Sequence, residues 1–127
     1  MASNTLKTFL DPLINAQSMA SSISGTPTNI QFFDNIGIQL HWTGASPGGS
    51  INVQVSVDYD VRFPNNATWT FLEDSTGTPI VISPNGSAGN GYFDLNQLSA
   101  PWIQVVYTTA GGSVGLLTSK ISAKGWS

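Results

Sequence analysis

Residues 51–59 read INVQVSVDY, and this stretch decides the fold. Ile51, Val53, Val55, Val57 and Tyr59 alternate with Asn52, Gln54, Ser56 and Asp58. A period of two puts successive side chains on opposite faces of a strand, so one face is apolar and the other polar. Val53, Val55 and Val57 are therefore expected in a core, and Asn52, Gln54 and Ser56 facing solvent or a neighbouring subunit. Just upstream, Ile36, Ile38, Leu40 and Trp42 alternate with Gly37, Gln39, His41 and Thr43. The Gly/Pro-rich turn at 44–49 between the two runs predicts a β-hairpin.

Shorter runs follow. Residues 68–72 (TWTFL) carry Trp69 and Phe71 on one face, 79–83 carry Ile80 and Ile82, and 91–95 turn either Tyr92 or Phe93 inward. Residues 102–109 (WIQVVYTT) form a second strong strand with Trp102 expected in the core, and 114–124 close the set. Turn clusters at 63–66, 74–77, 83–86 and 110–113 separate them. Strands so spaced and punctuated, with no strand–helix–strand rhythm, indicate an all-β fold: an antiparallel β-sandwich of about seven or eight strands, jelly-roll or Ig-like.

The first 28 residues differ. Leu6, Phe9, Leu10, Leu13 and Ile14 follow helical spacing. Asp11 suits an N-cap and Pro12 a first helical position, which predicts a short helix over 12–20. Residues 21–28 then read as a polar linker with Gly25 and Pro27. The expected organisation is an N-terminal arm, 1–28, and a sandwich domain, 29–127. A sandwich fills its core from its own two sheets. The arm's apolar stripe at Leu6, Phe9, Leu10, Leu13 and Ile14 is thus expected on a partner chain, together with Trp126, which lies beyond Gly125 near the end of the sequence.

Composition narrows function. Only 9% of the 127 residues are charged, against a typical share of about 25%, while 40% are hydrophobic. That balance excludes a disordered chain. A net charge of −3 argues against a general phosphate-binding surface and hence against nucleic acid as a partner. Cysteine is absent, and His41 stands alone, so thiolate metal sites, disulfides and His-based triads lack their residues. No cofactor is expected. No apolar run approaches the ~18 residues of a membrane span, and Asp11 and Pro12 interrupt the one stretch that would resemble a secretory leader.

The remaining polar candidates have ordinary explanations. Asp58 and Asp60 leave the same face of a strand end, with Arg62 close enough to neutralise one of them. Glu73 and Asp74 end another strand. Such carboxylates can gather calcium, but their spacing matches no calcium loop. The Asn66-Ala67-Thr68 and Asn85-Gly86-Ser87 sequons are expected to occur by chance in an Asn/Ser/Thr-rich chain. Trp42, Trp69 and Trp102 sit within strand alternation, where packing explains them.

From residue 29 onward the order of segments resembles small β-sandwich proteins of tailed-bacteriophage virions. The matching stretches are VQVSVD (53–58), WTFL (69–72), WIQVVYT (102–108), GGSVGL (111–116) and KG (124–125). Gln104 stands where Arg is common in that family, and the 61–66 loop is longer than its usual Asp-Gly turn. The resemblance carries no catalytic residues and implies a non-enzymatic virion protein of the capsid-decoration, head-fibre or tail-accessory type. It further implies the major capsid protein or other virion proteins as partners, and a homo-oligomer, with a trimer suited to the three-fold sites of a shell. Synthesis in the host cytoplasm, assembly into the virion and no membrane partner complete that expectation. The alternative is a carbohydrate- or host-surface-binding β-sandwich module, which requires a solvent-facing aromatic strip beside Asp and Asn groups.

Overall fold

The computed structural model describes residues 4–8, 12–31, 33–96 and 98–126. The chain builds eleven strands: β1 (Asn4–Thr8), β2 (Ile14–Ser18), β3 (Ile23–Ser24), β4 (Thr28–Asn29), β5 (Phe33–Ser46), β6 (Ser50–Ser56), β7 (Thr70–Phe71), β8 (Val81–Ile82), β9 (Gly89–Asn96), β10 (Trp102–Thr108) and β11 (Val114–Trp126). One 3₁₀ turn, Pro64–Asn66, is the sole helical element among the described residues. All pairings are antiparallel. The first sheet runs β1-β11-β5-β9, with β2 also on β11. The second runs β3-β10-β6-β7, with β4 also on β10 and β8 on β6.

The two sheets form a sandwich around one core. β5 contributes Ile36, Ile38, Leu40 and Trp42, and β11 contributes Leu117, Ile121 and Ala123. Ile51 and Val53 of β6 and Ile103, Val105 and Tyr107 of β10 meet them from the second sheet. Phe93 and Leu95 of β9 point inward, which leaves Tyr92 outside.

The expected hairpin between the β5 and β6 runs is not formed. β5 pairs with β9 and β11, whereas β6 pairs with β10, β7 and β8, so the turn at 47–49 crosses from one sheet to the other. The crossing sets the two apolar faces opposite each other across the core, which burial rewards more than side-by-side pairing. Tyr107 anchors it: its buried hydroxyl donates to the Gly48 carbonyl at 2.6 Å. Gly49 has φ +88 and lies against Thr108 and the Tyr107 ring, a place and a conformation that only glycine takes without strain.

The N-terminal helix is likewise replaced by strands. Residues 14–18 are extended along β11, and the Leu13 amide donates to the Ser119 carbonyl at 2.7 Å. Ala16 adopts φ +47 where the β2–β11 register shifts between Leu117 and Ser119, and its amide donates to Thr118 Oγ1 at 3.1 Å. The chain then changes sheets. Gly25 donates to the Val105 carbonyl at 2.7 Å and Thr26 to the Leu13 carbonyl at 3.0 Å, so one segment closes the same side of both sheets. A Cβ at Gly25 would press on Val105 O at 2.8 Å and on Ile14. Leu13, Ile14, Met19, Ile23 and Ile30 are buried in this seam. The boundary drawn at 28/29 falls inside β4.

Candidate functional site

The acidic residues singled out in sequence do not converge. Asp58 accepts from Ser56 Oγ at 2.8 Å and from the Thr68 amide at 2.8 Å. Those bonds, the Thr68 amide foremost, hold its carboxyl below the ordinary carboxylate range. Asp60 engages Arg62 at 2.8 Å, and the guanidinium lowers its pKa in turn. Asp74 caps its own turn by accepting from Thr76 Oγ1 at 2.6 Å and from the Thr76 and Thr78 amides, which lowers it as well. Each of the three has a local structural task. Among the described residues no three His, Asp or Glu side chains gather into a metal-binding group.

Alternation along β6 holds through Gln54 and then fails. Val53 is fully buried and Val55 half-buried, but Val57 is 78% exposed, because β6 ends at Ser56. Ser56 is buried instead, beneath its bond to Asp58. Asn52 and Gln54 are half-buried; Asn52 donates to the Ile80 carbonyl, and Gln54 accepts from Gln104 at 2.7 Å. Trp102 lies opposite Ser56 and outside the core. It packs on Tyr59 with centroids 4.7 Å apart, and Tyr59 packs on Trp69 at 5.6 Å. The rings are tilted 59° and 50° to one another and half-buried, so they cover each other rather than present a coplanar strip. Trp42 is buried as expected, with its indole N–H on the Ser87 carbonyl at 3.0 Å.

The proposed partner-binding residues separate. Leu13 and Ile14 are consumed by the chain's own core. Leu6 lies on β1 opposite Lys124, and Trp126 ends β11 opposite Asn4. Phe9 and Leu10 lie outside the described residues.

Two other surfaces stand out. Five of the eight large apolar side chains exposed among the described residues fall between positions 57 and 81: Val57, Val61, Phe63, Phe71 and Val81. Val57 was legible only as a core position, and the others follow loop and two-residue-strand geometry that no periodicity reveals. The second surface is the outer face of the first sheet. There the register aligns Thr118, His41 and Asn90 in one row and Lys120, Gln39 and Tyr92 in the next. Ser122, Gly37 and Asp94 form a third row. His41 donates from Nδ1 to Asn90 Oδ1 at 2.7 Å.

No protein-family model and no curated protein sequence matches the chain. Among solved structures it is similar to the SPBc2 prophage-derived protein YomS, with a TM-score of 0.54 and 16% identity over 98% of this chain and 95% of that one. At that identity the likeness is one of fold, and it spans both chains almost completely. A structure of infectious bursal disease virus, Gx strain, is also matched, with a TM-score of 0.49 and 13% identity over 97% of this chain and 31% of that chain.

Proposed function

We propose that the chain is a non-enzymatic structural protein of a bacteriophage particle, an accessory protein that decorates the capsid shell as a homo-oligomer, with a trimer favoured. The observation that carries this proposal is the end-to-end fold likeness to a prophage-derived protein. The strand-and-turn motifs at 53–58, 69–72, 102–108 and 111–116 support it from the sequence side. The partner would be the major capsid protein or another virion protein, and the site of action the virion, after synthesis in the host cytoplasm. No described helix is long and apolar enough to cross a membrane.

The exposed apolar side chains between 57 and 81 supply a surface for such contacts. Exposed large apolar side chains favour protein contacts, because water charges a free-energy cost for them that a partner removes. The three capped aspartates fit the same role: each fixes a loop on this side, so the apolar groups are held in place before binding.

The test is reconstitution. Purified protein mixed with phage shells lacking it should co-sediment to saturation and add regularly placed density in electron micrographs. A protein that stays monomeric by light scattering and never sediments with shells overturns the proposal.

A further inference from the structure

The outer face of the first sheet is a second surface, distinct from the exposed apolar side chains between 57 and 81. Tyr92 rises from β9, the edge strand of that sheet, in the middle of its three rows, and is 60% exposed. It lies across Gly37, where a Cβ would collide with the tyrosine hydroxyl. A glycine there lets the ring lie along the sheet with its other face to solvent, the arrangement by which an aromatic covers a strand glycine. Two depressions of about 270 and 170 Å³ are lined by Tyr92, and a third of about 400 Å³ adjoins the first of them. The largest shares Gln39 and Lys120 with the middle one, and the middle one shares Gly37, Tyr92 and Ser122 with the smallest. From Thr118 to Lys124 the furrow follows β11 for about 20 Å.

Its chemistry is selective. The lining offers amide groups from Gln39, Asn90 and Asn35 and hydroxyls from Thr118 and Ser122. It also holds Lys120 and Lys124, two of the chain's four Lys and Arg residues, but only Asp94 of its seven acids. Neither lysine makes an ion pair with a described residue. On a chain of net charge −3, a furrow with two lysines and one aspartate is a local reversal of sign. Asp58, Asp60 and Asp74, by contrast, are engaged in loop structure.

An exposed ring face suits the C–H face of a sugar, amides and hydroxyls suit its hydroxyl groups, and spaced lysines suit acidic groups along a polymer. We propose that this face binds an acidic polysaccharide, with one sugar stacked on Tyr92 and carboxylates paired with Lys120 and Lys124. A nucleic acid would also stack and pair, but its phosphate density calls for more cations than the furrow holds. The assignment is independent of the proposed shell contact, which draws on the loops and short strands between 57 and 81.

The test uses polygalacturonate and hyaluronan as acidic probes, dextran as the neutral one and a dT20 oligonucleotide, each titrated against the whole chain by calorimetry. The acidic polymers should bind more tightly than dextran. Tyr92→Ala should weaken them by about two- to tenfold, and Tyr92→Phe should bind as the parent does. The Lys120→Gln, Lys124→Gln pair should weaken binding and flatten its salt dependence. Thermal melting checks that each variant is folded. Absence of binding to both acidic polymers overturns the proposal, as does unchanged binding by folded Tyr92→Ala. Equal affinity for dextran, or for dT20 with the same variant sensitivity, overturns it too.

Discussion

The sandwich has two irregular sides, both built from short strands, and they are finished in opposite ways. On one side residues 13–30 close the edges of both sheets and bury Leu13, Ile14, Met19, Ile23 and Ile30. On the other, β7 and β8 pair with β6 over two residues each, and Val57, Val61, Phe63, Phe71 and Val81 are left exposed. Unpaired edges and bare apolar groups invite association. The first side has spent that capacity internally and serves stability. The second leaves those side chains in water, which is the capacity the proposed shell contact would draw on.

The largest effect that separates the two sides is in the core seam. Ile14→Ala should destabilise the fold by about 2–5 kcal/mol in urea unfolding, and Met19→Ala by a similar amount, since both side chains are fully buried. Deleting residues 1–25 should unfold the protein for the same reason. A stable truncated sandwich would break the comparison and return the segment to the role of a free arm. Next, the combined Val57→Ser, Val61→Ser, Phe63→Ser variant should melt close to the parent while its association with itself or with shells weakens by about tenfold or more, as read by sedimentation.

These two sides are also where sequence and structure part. β5, β6 and β11 were legible because each turns one face to the core, so period two survives in most of their residues. β10 was legible as a strand but in the wrong phase, since Ile103, Val105 and Tyr107 face the core, Trp102 does not, and Gln104 is buried as well. The 13–30 segment has no such faces. Leu13 and Ile14 are buried side by side, Ala16 takes a left-handed turn at a bulge, and the chain leaves one sheet for the other at Gly25. Leu13 and Ile14 thus fall on helical spacing by coincidence, at an edge that alternates with nothing. The 44–49 turn misled for another reason: the same Gly/Pro chemistry serves a hairpin and a crossing between sheets. Of the surface sites, Val57 was hidden because the alternation runs on in sequence past the point where β6 stops. Tyr92 was half-legible, as one of two aromatics competing for the inside.

A smaller effect sharpens the view of the seam. Ser119 is fully buried on β11, beside the β2 pairing at Ile14, and its hydroxyl has no hydrogen-bond partner among the described residues. Ser119→Ala should stabilise the protein by about 1 kcal/mol, seen as a raised denaturation midpoint. The smallest effect belongs to the open side. Asp58 and Asp74 have lowered folded pKa values. Their contribution is therefore complete above the ordinary carboxylate pKa of about 3.9 and is lost as pH falls through the lower folded values. Thermal midpoints should drop below about pH 4, and the drop should be shallower in the Asp58→Asn, Asp74→Asn variant.

The seam also sets a timetable. Ala16 meets Thr118 across 102 residues of chain. At ribosomal speeds of about 5–20 residues per second, β2 is synthesised roughly 5–20 s before β11 exists to receive it. Ile14 and Met19 spend that interval without their pocket. β11 pairs with β1, β2 and β5, so that sheet closes only after β11 is translated.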